Sequence, residues 1–450
     1  MARLLRAYGK TLTQKFKILA AVYVLVGEPA TFNFTGADAT LTVQRKITAD
    51  AGSYNLTGQA AGILVQRKIV SDAGTFAFTG QAATLTIQRK ITSDPGSFAF
   101  SGAAASLTAQ LKFSADPGSF SFDGQAVTLP KGVSVSVDAG SFAFTGANAS
   151  FAATRKIIAD AGSFIFTGQS TTLAVNLPVT PGSFAFTGQS AGLLATRKIT
   201  ADPAAYVFTG ANAGLTAQKT LSANNGSFAF TGQNAALTAQ RKIIADAGSF
   251  LLTGQDVTLR LGKNLTVDPG SFSLSGQNAN LLAARYLSAS PGDYLFSGGA
   301  ASLITGPVLE VDAGAFVFNG QDVSFIHVRV LTGSPGSFVF SGEAANLLRS
   351  LILTADAGAF DFSGQDAALS TATQEIDAES GEFVLAGQNA NFTVVRVLSA
   401  DPASFIFTGQ HIGLEASLGV EIIILQAGME TEIILSTRIE TEIKLSTKFT

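Results

Sequence analysis

The chain has 450 residues, no cysteine, no tryptophan, 46 glycines and a formal charge of −3. The missing cysteines exclude a disulfide framework and a thiolate metal site. The near-neutral balance excludes a general attraction to nucleic acid or to an acidic membrane surface.

Residues 1–30 carry five basic residues before Ile18, followed by the apolar run from Ile18 to Gly27. A basic stretch ahead of an apolar one also fits a signal peptide. However, Leu12 to Ile18 (L-T-Q-K-F-K-I) matches the second half of the unit that follows, L-T-V-Q-R-K-I at Leu41 to Ile47. The expectation is a retained cap or docking segment. The apolar run is too short to span a bilayer, so no membrane insertion is expected.

From 31 to 418 the chain is one tandem repeat, typified by Ser71 to Thr92 (S-D-A-G-T-F-A-F-T-G-Q-A-A-T-L-T-I-Q-R-K-I-T). The glycine that closes the aromatic arm recurs at 36, 58, 80 and onward to 409. It marks 18 copies, with fifteen spacings of 22, one of 20 and one of 23. A repeat this regular decides the architecture before any local propensity does. Four residues before each marker stands Phe, or Tyr at 54, 206 and 294; two before it stands Phe, or Leu at 56, 252, 274 and 385. Five after it stands an aliphatic residue or Phe. Spacing by two on each arm is the strand period, and no arm holds a helical one. The class is all-β.

Three short strands fit 22 residues: S-F-x-F-T, A-x-L-T and R-K-I-x-A. That is one rung of a parallel β-solenoid, with apolar columns stacked inside. An antiparallel β-prism or meander fibre is the alternative. It would relieve the stacking of Asp50, Asp72 and Asp94 as like charges about 4.8 Å apart. Nine of the twelve prolines fall at the D-P-G-S corner or its equivalent. Proline, glycine and serine in that order predict a type II turn, with the glycine in the left-handed conformation. The glutamine after the marker, in twelve copies, is expected to form an amide ladder at the buried corner. The Arg-Lys pairs at 45–46, 67–68, 89–90 and beyond are expected as solvated edges paired with the Asp turns. The shorter repeat over 169–188 lacks such a pair, and Pro130-Lys131-Gly132 interrupts another copy.

Residues 419–450 follow another rule, a ten-residue repeat (E-T-E-I-I-L-S-T-R-I, then E-T-E-I-K-L-S-T-K-F). Its alternation puts Ile433, Leu435, Ile439, Ile443 and Leu445 on one face of a strand or hairpin that needs a partner. The expectation is an oligomerisation or attachment module. The alternative is a cap folded onto the last rung of its own chain.

Chemistry is sparse. His327 and His411 are the only histidines and fall in unrelated repeats. No nucleophile elbow, phosphate loop or zinc spacing occurs. The recurrent Asp of the D-x-G corner belongs to a turn, so neither a calcium site nor a pair of glycosidic carboxylates is expected. No enzyme, cofactor or metal is anticipated.

The tandem G-S-F-x-F-T-G-Q-x-A-x-L…R-K-I unit resembles repeat proteins of tailed bacteriophages and prophages, across about residues 31–418. The resemblance implies a structural virion component such as a tail fibre, assembled in the host cytoplasm, and transfers no catalytic residues. It implies a homo-oligomer of three chains, contacts with other virion proteins, and a host cell-surface glycan or protein as receptor. An extracellular adhesin or filament at a bacterial surface is the second expectation.

Overall fold

The computed structural model describes residues 4–7, 12–15, 19–27, 432–437 and, apart from short interruptions, 31–416. Among these residues all regular structure is strand, and every ladder between named strands whose register is resolved is parallel. The chain is a parallel β-solenoid with a 22-residue rung. It divides into two compact units, Met1–Gln218 with Gly226–Phe228, and Lys219–Asn225 with Ala229–Thr450.

In the first unit a typical rung has three strands: Thr75–Thr79, Ala82–Ile87 and Lys90–Asp94. Each pairs with its counterpart one rung later: Phe76 beside Phe98, Leu85 beside Leu107, Ile91 beside Phe113. The inward residues alternate on each side. Phe76 and Phe78, then Ala83 and Leu85, then Ile91 are all buried. Parity changes at Gly80-Gln81 and changes back at the Asp corner, because a corner must turn the same apolar face inward on both flanks.

The aromatic columns are the spine of this core. In the first column Phe76 stacks on Phe98 at 4.8 Å, Phe98 on Phe120 at 4.9 Å and Phe120 on Phe142 at 4.6 Å, all within 7° of parallel. Parallel register forces identical side chains one strand spacing apart, so flat rings stack face to face at the ladder's own repeat.

The marker glycine has a steric cause. A Cβ on Gly102 would overlap the carbonyl oxygen of Gly80 in the rung before. At the described alanine corners a type II turn does not form. The left-handed residue is the one before the glycine: Ala51 at φ 52°, Ala73 at 52° and Ala247 at 50°. Gly74 is needed for space instead, since a Cβ there would lie 2.5 Å from the carbonyl oxygen of Gly52. Pro95 and the other corner prolines lie outside the described residues, as does the Pro130 interruption.

The leading segment supplies a rung of its own, in a different register from the one its sequence suggests. Leu12–Lys15 lies beside Phe32–Thr35 on the first side, not in the place of Leu41–Ile47. The continuous apolar run Leu19–Gly27 then covers the second and third sides, with Leu19 beside Leu41 and Leu25 beside Ile47. Two residues are missing from the short repeat between its second and third sides. Val175 pairs with Ala195, but Leu177 pairs with Ile199. The deletion removes the basic corner and leaves both apolar columns in step.

In the second unit many rungs run through the first corner as one strand, such as Ser249–Leu261 and Ser271–Ala283. The columns persist: Phe296 stacks on Phe318 at 4.4 Å and Phe340 on Phe362 at 4.7 Å. Where Leu252 and Leu274 replace Phe in the second column, the first-column rings lean. Phe250 to Phe272 is tilted 21°, and Phe272 to Tyr294 is tilted 29°. The smaller leucine leaves volume that a tilted ring fills.

Candidate interaction surfaces

Among the described residues the interior is apolar; of its few polar side chains some are tied locally, while the Thr48 and Thr171 hydroxyls have no hydrogen-bond partner. Tyr54 Oη donates to the carbonyl of Thr48 at 2.9 Å, and Tyr294 Oη to that of Ser288 at 2.9 Å. Burial pushes the Tyr206 phenol well above its ordinary pKa. Tyr286 is pushed up to about 12, by burial and by its hydrogen bond to the Glu310 carboxylate and that group's charge. Among the described residues no group of three His, Cys, Asp or Glu side chains could hold a metal ion, and no helix is long and apolar enough to cross a membrane. His411 is exposed, beside Asn389 and Glu432 in the adjoining strands; His327 lies in another rung, on Ala315–Ser334.

Surfaces are therefore the candidates, and each repeats with the rung. The aspartates do stack: Asp50 stands beside Asp72, and Asp72 beside Asp94. Asp72 is exposed, so water screens the repulsion that argued for the prism. The lysines form a second row, Lys46, Lys68, Lys90 and Lys112 in register. Lys68 opens the strand Lys68–Asp72 and Asp72 closes it. The two rows thus follow opposite edges of the third side, about 13 Å apart along the strand. They are not the single paired edge the sequence suggested.

The glutamine ladder is also corrected. All twelve glutamines are exposed, and the corner is satisfied by backbone, as where the Ala82 N–H donates to the Gln59 carbonyl at 2.9 Å. Side-chain amides pair between adjoining rungs elsewhere. Asn55 Nδ2 donates to Asn33 Oδ1 at 2.9 Å, Asn278 Nδ2 to Asp256 Oδ1 at 2.6 Å, and Asn389 Nδ2 to Asp366 Oδ1 at 2.7 Å. The signal for the last two was an acid at one rung followed by an amide at the same position of the next.

Of the C-terminal residues, the structure places Ile433 and Leu435. The strand Glu432–Thr437 lies parallel to the last second-side strand of the same chain, with Ile433 beside Ile412 and Leu435 beside Leu414. Ile439, Ile443 and Leu445 lie outside the described residues. The segment thus begins as an addition to its own array, and its outer edge is where a further strand would pair. No protein-family model, curated protein or solved structure matches the chain.

Proposed function

We propose that the chain is a structural fibre protein of a phage virion, with attachment carried on its surfaces. The observation that supports this reading most is the way each rung is spent. Within each unit, stacked Phe, Leu and Ile columns fill the interior in register, and among the described residues the connections between strands are too short to build a cleft. Such a chain supplies rigidity and repeated surface, which a spacer or fibre needs and a catalyst does not. The virion assignment rests on the resemblance of the G-S-F-x-F-T-G-Q unit to phage repeat proteins.

In this reading the C-terminal segment closes a homo-oligomer of three chains. Ile433 and Leu435 continue the array, and Ile439, Ile443 and Leu445 meet sister chains. Other virion proteins bind one end, and a host-surface glycan or protein is the receptor. The test is mass spectrometry and antibody labelling of purified particles. The expected result is a stoichiometric protein labelled on a particle appendage. Recovery in the outer surface of bacterial cells, with none on particles, would replace this reading with a surface adhesin.

A further inference from the structure

The middle residue of each F-x-F strand points away from the core. Leu295 is 42% exposed, between Tyr294 and Phe296 at 0%. In the first unit this row runs Asn33, Asn55, Ala77, Ala99, Ser121, Ala143, Ile165, Ala185 and Val207, small or polar apart from the exposed Ile165 and Val207, which do not adjoin. In the second unit it is apolar at six of eight successive rungs: Leu251, Leu295, Val317, Val339, Val384 and Ile406. Ser273 and Asp361 are the two breaks. The backbone keeps the row straight, with Leu295 beside Val317, Val317 beside Val339, and Val384 beside Ile406. The outward positions flanking it are Ser, Ala, Thr and Asn, apart from Asp293 and Glu382, and none is Lys or Arg.

We propose that this first-side face of the second unit is where two copies of the chain associate, sheet against sheet. Small flanking residues let a facing sheet approach to about 10 Å, the ordinary sheet-packing distance, so the central side chains interdigitate. Eight rungs at about 4.8 Å by five residues at about 3.3 Å make a face of roughly 650 Å², and two such faces together bury about 1,300 Å², within the range of specific interfaces. Length selects the partner. Only a chain with the same rung offers apolar side chains at the same interval along all eight positions, whereas a globular partner meets a few of them. The second side has a shorter apolar row, Leu282, Ile304, Ile326 and Leu348 over four rungs, too short for a comparable contact. The proposal holds whether or not the protein belongs to a virion, and it does not use the C-terminal segment.

The test is sedimentation of the full-length chain. Three variants are compared with wild type: Val317→Lys with Val339→Lys, the milder Val317→Ser with Val339→Ser, and Ile304→Lys as a control on the second side. All the altered positions face outward, so circular dichroism should be unchanged. The serine pair, which repeats the residue at Ser121, guards against misfolding of the lysine pair. The expected result is a self-associating wild type whose dissociation constant rises at least about tenfold in both double variants, with Ile304→Lys close to wild type. A wild type that stays monomeric, association unchanged in both double variants, or an equal loss in Ile304→Lys would each overturn the proposal. Unchanged association in the double variants would point to the C-terminal segment instead.

Discussion

The phenol of Tyr54 crosses the interior of its rung and donates a 2.9 Å hydrogen bond to the carbonyl of Thr48, six residues earlier on the third side. Phe32 and Phe76 occupy the same position in the adjoining rungs and stack on Tyr54 at 4.8 Å each. The ring is therefore interchangeable and the hydroxyl is an addition. Tyr54 stays within 5° of its neighbours although Leu56 stands beside it, whereas Tyr294, with an equivalent hydrogen bond, lies 29° from Phe272. Tyr54→Phe should cost about 1 kcal/mol, the net worth of one buried hydrogen bond. Amide exchange across 31–79 should speed up about fivefold, with no change farther along the chain.

Removing a ring from the spine should cost more. Phe120 stacks between Phe98 and Phe142, and Phe120→Ala leaves a cavity that flat, in-register neighbours cannot collapse into. A local loss of about 3–5 kcal/mol is expected. It should be confined to the rung of Phe120 and those on either side, because stability in a stacked array passes between nearest neighbours. Exchange that rose evenly over the whole first unit would show longer-range cooperativity than this packing provides.

The solenoid was legible because its three sides repeat a strand period with a parity switch at each corner, and those features depend only on side-chain chemistry. What was hidden depends on backbone geometry. Nothing in D-A-G-S says that Ala73 rather than Gly74 takes the left-handed conformation; that follows from how close Gly74 lies to Gly52. The register of Leu12–Lys15 was hidden because a short polar-apolar alternation fits the first side as well as the second. The alternation of the C-terminal row specifies a strand or hairpin that needs a partner, but not which partner. Ile433 and Leu435 prove to stand beside Ile412 and Leu414, since a solenoid always offers its last edge to the chain that follows.

The marker glycine and a glycine inside the A-x-L arm should respond in opposite ways. Gly102→Ala drives a methyl group into the backbone oxygen of Gly80, which no rotamer relieves, so the rungs must part and the array should lose several kcal/mol. Gly214 faces open space, with nothing within 4 Å of a Cβ. Gly214→Ala should stabilise by about 0.4–1 kcal/mol, because the unfolded chain loses freedom that the strand does not use. Thermal unfolding of the two variants beside wild type measures both signs at once.

Ala73 holds φ at 52°, a conformation that costs an ordinary residue about 1–2 kcal/mol. Ala73→Gly should raise stability by up to about 1 kcal/mol, strain relief outweighing the added freedom of the unfolded chain. Ala73→Pro copies Pro95 at the equivalent place one rung later. It cannot keep φ near 52° because the ring fixes φ near −65°, so it should destabilise the array unless the corner changes geometry. If the proline variant were as stable as wild type, the Ala73 corner would be free to adopt a second geometry.

Asp361 is the one charge in the centre of the apolar row, set between Val339 and Val384. Its Oδ1 is buried without a hydrogen-bond partner. Burial pushes its carboxyl above the ordinary value of 3.8; a hydrogen bond with Ser363 opposes the shift and the charge of Glu382 adds to it. Because the folded pKa is the higher one, the folded chain keeps a proton that the unfolded chain releases as pH climbs from 3.8. Stability therefore falls as pH rises through that window, and at neutral pH the carboxylate is a burden. Asp361→Asn should stabilise the second unit at pH 7, modestly because the group is partly in water. The gain should shrink toward zero as pH drops below 3.8, where both folded and unfolded wild type carry the proton. Denaturation midpoints measured from pH 3 to 7 decide it. A gap that widened on acidification would mean that the carboxylate is stabilised where it sits, and that the apolar row beside Asp361 is wetter than its packing indicates.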